Sequence, residues 1–278
     1  MSNHLIISIT GGLGNQLFML FAGISKSLDV NKSFFIHLDK NDRKFYLNDF
    51  LSSINKKIIN DYQLMKLIDK PYIENEDFYY KPIPDETDYI KGYFQSYKYF
   101  QHNFQTIYNI LHLNSFFHNP KYLLDFPYIS IHFRFGDYIN LQDYHNVLDI
   151  HYYKNALQVL KDKIGNDLYN YKILVFGEKT NDDIITDYIN QLDNKLEFIK
   201  IYEINPKKPF DDYEEMILMS KATHNIIGNS TFSWWGAYLS NNPNKIIIHP
   251  HKSKWFGYKF KHCNLKDLFP PHWIEVNY

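Results

Sequence analysis

The chain has 278 residues, 45% of them hydrophobic, and a formal net charge of −1 with its basic residues scattered along it. This length suits one large domain or two moderate ones with a substantial core, and the scatter of lysine and arginine excludes the electrostatic footprint of a nucleic-acid binder. The 24 Tyr and 22 Phe occur together with abundant Asn, Lys and Ile, the joint bias of an AT-rich gene, so they are not in themselves a sugar- or base-stacking signal.

The single cysteine, Cys263, excludes an intramolecular disulfide and argues for a reducing compartment. The apolar run Leu5–Ile9 is too short for a signal-peptide core, and no run approaches the length of a membrane span, so a cytoplasmic location is expected. Leu5–Ile9 reads as a first strand. It is followed by Thr10-Gly11-Gly12-Leu13-Gly14-Asn15-Gln16 and by a helix whose apolar stripe is Leu17, Phe18, Phe21, Ala22 and Leu28. Gly12 and Gly14 let backbone approach a ligand closely, and the helix start offers N–H groups to an anion. The spacing fits neither the dinucleotide fingerprint nor the phosphate loop. A tight βα turn in which Asn15 and Gln16 satisfy local backbone accounts for it equally well.

Ser33–Leu38 reads as a second strand, with a charged, irregular region to about Lys57. Helix-like segments at 61–68 and 97–113 flank a proline-bearing connection and the strand-like Tyr89–Phe94. The crossing between halves falls at Asn114–Pro120, which divides the chain into domains 1–120 and 121–278.

The second half begins with PYISIHFRFGDYIN, Pro127–Asn140. Tyr128, Ile129, Ile131 and Phe133 form a buried strand, and His132, Arg134, Gly136 and Asp137 fall at its carboxyl end, where open α/β sheets bind ligands. The planar fork of an arginine can hold two phosphate oxygens and stays charged at any relevant pH. Gly136 allows a tight turn, and Asp137 could either brace the arginine or act as a base. A polar loop then carries Asp143, His145 and Asp149. Helix and strand alternate through 151–164, 172–176, 182–192, 197–201, 210–222 and 224–227, which predicts βαβ units and a parallel sheet. Acidic Asp211, Asp212, Glu214 and Glu215 read as the solvated start of a helix. In Ile227–Ala237, Ser230 and Thr231 can cap a helix and turn their hydroxyls toward a phosphate, and Trp234 and Trp235 point to different sides, at least one into the core. Lys245–His249 is a last strand. His249 and His251 lack the carboxylates or thiols that would complete a metal set. No Asp-x-Asp follows an apolar run, which counts against a metal-held nucleotide sugar.

Taken together, GGLGNQLF at 11–18, GYFQSYKYF at 92–100, HFRFGDY at 132–138, YYKNAL at 152–157 and NSTFSWWGAYL at 229–239 resemble the α-1,2-fucosyltransferase family of glycosyltransferases. The resemblance implies an α/β fold of GT-B type, two Rossmann-like domains facing across a cleft, with the acceptor side in 1–120 and the GDP-sugar side in 121–278. It further implies GDP-fucose as donor, a glycan acceptor such as a galactose O-2, inversion, and neither metal nor other cofactor. The family motif H-x-R-R-G-D-Y puts the pyrophosphate-engaging arginine on Arg134 and its second arginine on Phe135, a departure that leaves another GDP-linked deoxyhexose as an alternative donor. The family's Ser-Asp-Asp is replaced by Gly177-Glu178-Lys179. On this reading Arg134, with Ser230 and Thr231, neutralises the leaving pyrophosphate. His132, Gly136, Asn229, Gly12 and Gly14 line the donor side, and His132 orients Arg134. Asn15 and Gln16 contact fucose or acceptor. Asp137 is the first candidate base, with His145 and Asp143 as alternatives. A nucleotide- or glycan-binding protein that has lost activity is the reading from a different class.

Overall fold

Among the described residues, five parallel strands form one sheet and six form another. The computed structural model describes residues 2–39, 43–75 and 78–278, so part of the region expected to be irregular before Lys57, at 40–42, lies outside the described residues. The first unit comprises Met1–His118 and Cys263–Pro270, the second Asn119–His262 and Pro271–Tyr278.

In the first unit the elements run β1 (His4–Ile9), α1 (Leu13–Asp29), β2 (Ser33–Leu38), β3 (Ile58–Ile59), α2 (Asp61–Leu67), β4 (Pro71–Ile73), β5 (Tyr89–Lys91), α3 (Phe104–Ile110) and α4 (Asn114–Phe117). The sheet order is β3-β2-β1-β5-β4, all parallel. Leu5, Ile6, Ile7 and Ile9 are fully buried, as a central strand covered on both faces requires. Gly23 lets α1 seat on β1, because a Cβ there would overlap the Ile7 side chain. The helix expected over 97–113 is interrupted. The Ser96 hydroxyl accepts from the Lys98 N–H at 3.3 Å and closes a single tight turn, and helix begins only at Phe104. A division at residue 120 assigns 263–270 to the second domain. Instead the Asp267 carboxylate, accepting from Lys98 Nζ at 2.7 Å and from the Tyr80 N–H at 3.2 Å, holds that segment in the first unit.

The second unit runs β6 (Tyr128–His132), α5 (Ile150–Ile164), β7 (Lys172–Phe176), α6 (Asp182–Asn190), β8 (Phe198–Lys200), α7 (Ile201–Ile204), α8 (Asp212–Lys221), β9 (His224–Ile226), α9 (Thr231–Tyr238), β10 (Ile247–Pro250) and β11 (Ile274–Val276). The order is β11-β10-β9-β6-β7-β8, again all parallel. From central β6 the chain winds outward to β8 and returns on the other flank through β9. The direction of winding therefore reverses between β6 and β9, and open α/β sheets bind ligands just outside the carboxyl ends at such a reversal. Helix α5, capped by Asp149 accepting from the His151 N–H at 2.8 Å, fixes those strand ends from below. Tyr153 donates to the His132 carbonyl at 3.0 Å and Tyr152 to that of Ile227 at 2.6 Å. Both Trp234 and Trp235 are fully buried.

The acidic start of α8 is only partly solvated, contrary to the sequence expectation. Glu214 is buried and accepts from Lys121 and from the Tyr122 hydroxyl at 3.0 Å. Burial, with Asp212 and Glu178 nearby, pushes the Glu215 carboxyl up to about 8.

Candidate active site

The crevice between β6 and β9 is built by two loops in contact. A Cβ added to Gly228 would lie 3.2 Å from His132 Nδ1 and 3.7 Å from the Arg134 Cβ, so glycine permits the approach. His132 ends β6 at 7% exposure, its ring 5.8 Å from that of Phe232. Burial, and then the charge of Arg134, push its pKa down to about 3, so it is a neutral neighbour of the arginine.

Alternation sends Phe133 into the core, 4.5 Å from the Tyr153 ring, and Arg134 toward the crevice. The guanidinium donates to Asp137 and to Glu178 and lies over the Tyr138 ring, 4.7 Å from its centroid. Burial alone would loosen the arginine's proton, but Tyr138, Asp137 and Glu178 together raise its pKa. Asp137 thus braces the arginine, and its place beside Arg134 is also where a base would stand. Glu178 escaped the sequence reading as an arginine partner, because only the strand register brings it there. In the β6–β7 register His132 lies opposite Phe176, so the residues two beyond each strand end, Arg134 and Glu178, are neighbours.

Gly136 has φ +43°, and a Cβ there would overlap the Glu178 carboxylate, so the turn needs glycine for both conformation and space. Its N–H donates to Asn181 Oδ1 at 2.9 Å. Phe135, where the family has a second arginine, is buried against Tyr188 at 5.1 Å and stacked on Phe133. This position faces the core and brings no charge to the crevice.

Across the crevice Ser230 caps α9, its Oγ accepting from the Phe232 N–H at 3.3 Å, which leaves the hydroxyl proton for a phosphate oxygen. Thr231 opens the helix, and no acidic residue stands in its first turn. Asn229 stands immediately before that cap. It is 1% exposed, and its amide donates to the Asn146 and Trp255 carbonyls at 2.7 and 3.1 Å. Tyr138 donates to the Asn229 carbonyl at 3.3 Å, and His145 stacks on Tyr138 at 4.4 Å. Asp143 lies with Tyr258 and Lys259 at 3.2 and 3.6 Å.

The remaining expected site residues belong to the first unit. Gly12 precedes α1 with φ −73° and open space where a Cβ would stand, and Gly14 is buried within the helix. Asn15 Oδ1 accepts from Gln95 Nε2 at 3.1 Å. Gln16 is fully buried, its amide donating to the Gly11 and Lys44 carbonyls at 2.8 and 2.7 Å. Among the described residues no group of three or more His, Cys, Asp or Glu is placed to hold a metal ion, and no helix is long and apolar enough to cross a membrane. His249 is buried beside the Pro250 carbonyl, and His251 faces Glu275 at 3.8 Å.

Doubly wound parallel sheets, one of them with an arginine and a capped helix start at its switch point, define an α/β protein built from two Rossmann-like units, the components of the GT-B fold. Residues 40–277 match Glycosyl transferase family 11, and the chain belongs to that family and is a glycosyltransferase. The O-antigen biosynthesis glycosyltransferase WbnK of Escherichia coli is 29% identical, over 96% of this chain and 99% of its own. The alpha-1,2-colitosyltransferase of Escherichia coli is 27% identical, over 98% of each. The fucosyltransferase NodZ from Bradyrhizobium aligns with a TM-score of 0.48 at 12% identity, over 91% of this chain and 96% of that one.

Proposed function

We propose that the chain transfers L-fucose from GDP-fucose, with inversion and without metal, to a glycan hydroxyl, O-2 of a terminal sugar such as galactose. The observation that carries this reading is the placement of Arg134 beside the α9 start at the switch point of the second sheet. The leaving group of a GDP-sugar is a pyrophosphate, so the transition state needs charge neutralised more than it needs a proton supplied. Arg134, the Ser230 hydroxyl and the N–H groups opening α9, with Thr231, are the groups that would meet that charge. Two of the five guanidinium N–H donors already face carboxylates. The donor therefore uses the others or displaces Glu178, whose side chain is 48% exposed. The acceptor hydroxyl attacks from the opposite face of the sugar through an oxocarbenium-like state. Asp137 is the first candidate to receive its proton, and His145, kept neutral by burial, the second.

A second reading, transfer of another GDP-linked deoxyhexose, is favoured by the relative named alpha-1,2-colitosyltransferase. Calorimetric titration with GDP, GDP-fucose and UDP-sugars, with and without EDTA, tests both. Binding of GDP and GDP-fucose that survives EDTA is the expected result. Tight GDP binding with none of GDP-fucose supports the second reading, and binding of a UDP-sugar alone defeats both.

A further inference from the structure

We propose that Tyr138 is a positioning residue for Arg134, setting the plane of the guanidinium and linking it to the start of α9. This rests on the reading that Arg134 receives the donor pyrophosphate. Three segments meet on the Tyr138 side chain. The guanidinium of Arg134 lies over the ring at 4.7 Å, and the imidazole of His145 stacks on it at 4.4 Å with planes 11° apart. The hydroxyl donates to the carbonyl of Asn229, the residue before the α9 cap.

His145 is itself held. Its ring lies 5.9 Å from Phe256 and 6.2 Å from Phe260. The loop carrying it is laced to 254–260 by the Gly257 N–H on the Tyr144 carbonyl at 2.8 Å and by the Asn146 amide on the Lys254 carbonyl at 3.2 Å. A carboxylate partner fixes where a guanidinium nitrogen sits, but the two carboxylates here come from different loops and leave the plane of the fork adjustable. An aromatic face beneath it removes that freedom. Orientation matters because charge stabilisation by a preorganised donor falls steeply with small displacements.

The test is GDP binding by calorimetry to Tyr138→Phe and Tyr138→Leu, each alone and combined with Arg134→Lys. Tyr138→Leu is expected to weaken GDP about 10-fold, and Tyr138→Phe, which keeps the stacked face, to recover most of that loss. In the Arg134→Lys background, where no fork remains to be oriented, the Tyr138→Leu loss should shrink to under about 2-fold. An equal loss in both backgrounds, or none in either, overturns the proposal. Thermal unfolding of the same samples identifies a misfolded Tyr138→Leu. His145→Ala then serves instead, with an expected loss of about 3-fold, and unchanged GDP affinity in it overturns the proposal. If Arg134→Lys alone binds GDP like the parent protein, the donor-site reading itself is wrong and the positioning role falls with it.

Discussion

The loop after β1 and the loops after β6 and β9 occupy equivalent places, the carboxyl ends of strands where a parallel sheet changes winding direction, yet they are chemically opposite. After β1 the polar groups are neutral and turned inward, the Gln16 amide on two backbone carbonyls and Asn15 on Gln95. After β6 an arginine, two carboxylates and a tyrosine face one another at a crevice whose far side is a capped helix start. Position in a doubly wound fold nominates a site. Charge held at that position, against the cost of desolvating it, makes the β6 and β9 loops the stronger candidate.

Removing the charge is the harshest way to break this contrast. Arg134→Ala should lower turnover about 10²–10³-fold without unfolding the protein, and near-normal turnover would move the donor site elsewhere. Gln16→Ala should do the converse. It strips donors from two carbonyls and should cost about 1–3 kcal/mol in urea unfolding while GDP affinity is kept; lost affinity with stability retained would make the β1 loop a binding loop after all.

Acid sharpens the contrast from the other side. The His132 pKa is about 3 in the folded state against 6.5 for the free side chain, and burial likewise lowers His249 to about 4. Below pH 6.5 the unfolded chain takes up protons that the folded one refuses. Their contribution is therefore complete above about 6.5 and is lost as pH falls toward the folded values. For His132 the decline between pH 7 and pH 5 should be about 2 kcal/mol, and a His132→Asn variant should show a visibly flatter profile of urea midpoint against pH. An identical profile would mean that His132 takes up a proton without penalty. The smallest effect belongs to Gly136→Ala, about 1 kcal/mol for a left-handed alanine. The flexible Glu178 side chain should swing away to admit the new Cβ, visible in a crystal structure as a broken Arg134–Glu178 pair.

Much of the fold was legible because it is local. Strands at Leu5–Ile9, Ser33–Leu38 and Lys172–Phe176 announce themselves by short, mostly apolar runs, and Ser230 announces a helix start by its type and position. Where the reading failed, the deciding partner was distant or the competing turn was polar. Helix over 97–113 was lost to a serine-closed turn at Ser96. Glu214, read as solvated, was claimed by Lys121 and Tyr122 from more than 90 residues away.

The amino-acid sequence by itself determined the alternation of strand and helix, the family, and the delivery of Arg134, Asp137 and Ser230 to strand ends, since periodicity and side-chain type act over a few residues. Only the tertiary structure decided which polar groups remained for chemistry. Register across β6 and β7 put Glu178 on Arg134, burial set the Asn229 and Gln16 amides on backbone carbonyls, and the packing of Phe135 against Tyr188 turned that position toward the core. A hydrogen bond or a desolvated charge depends on what the rest of the chain brings to it, and that is settled when the sheets assemble.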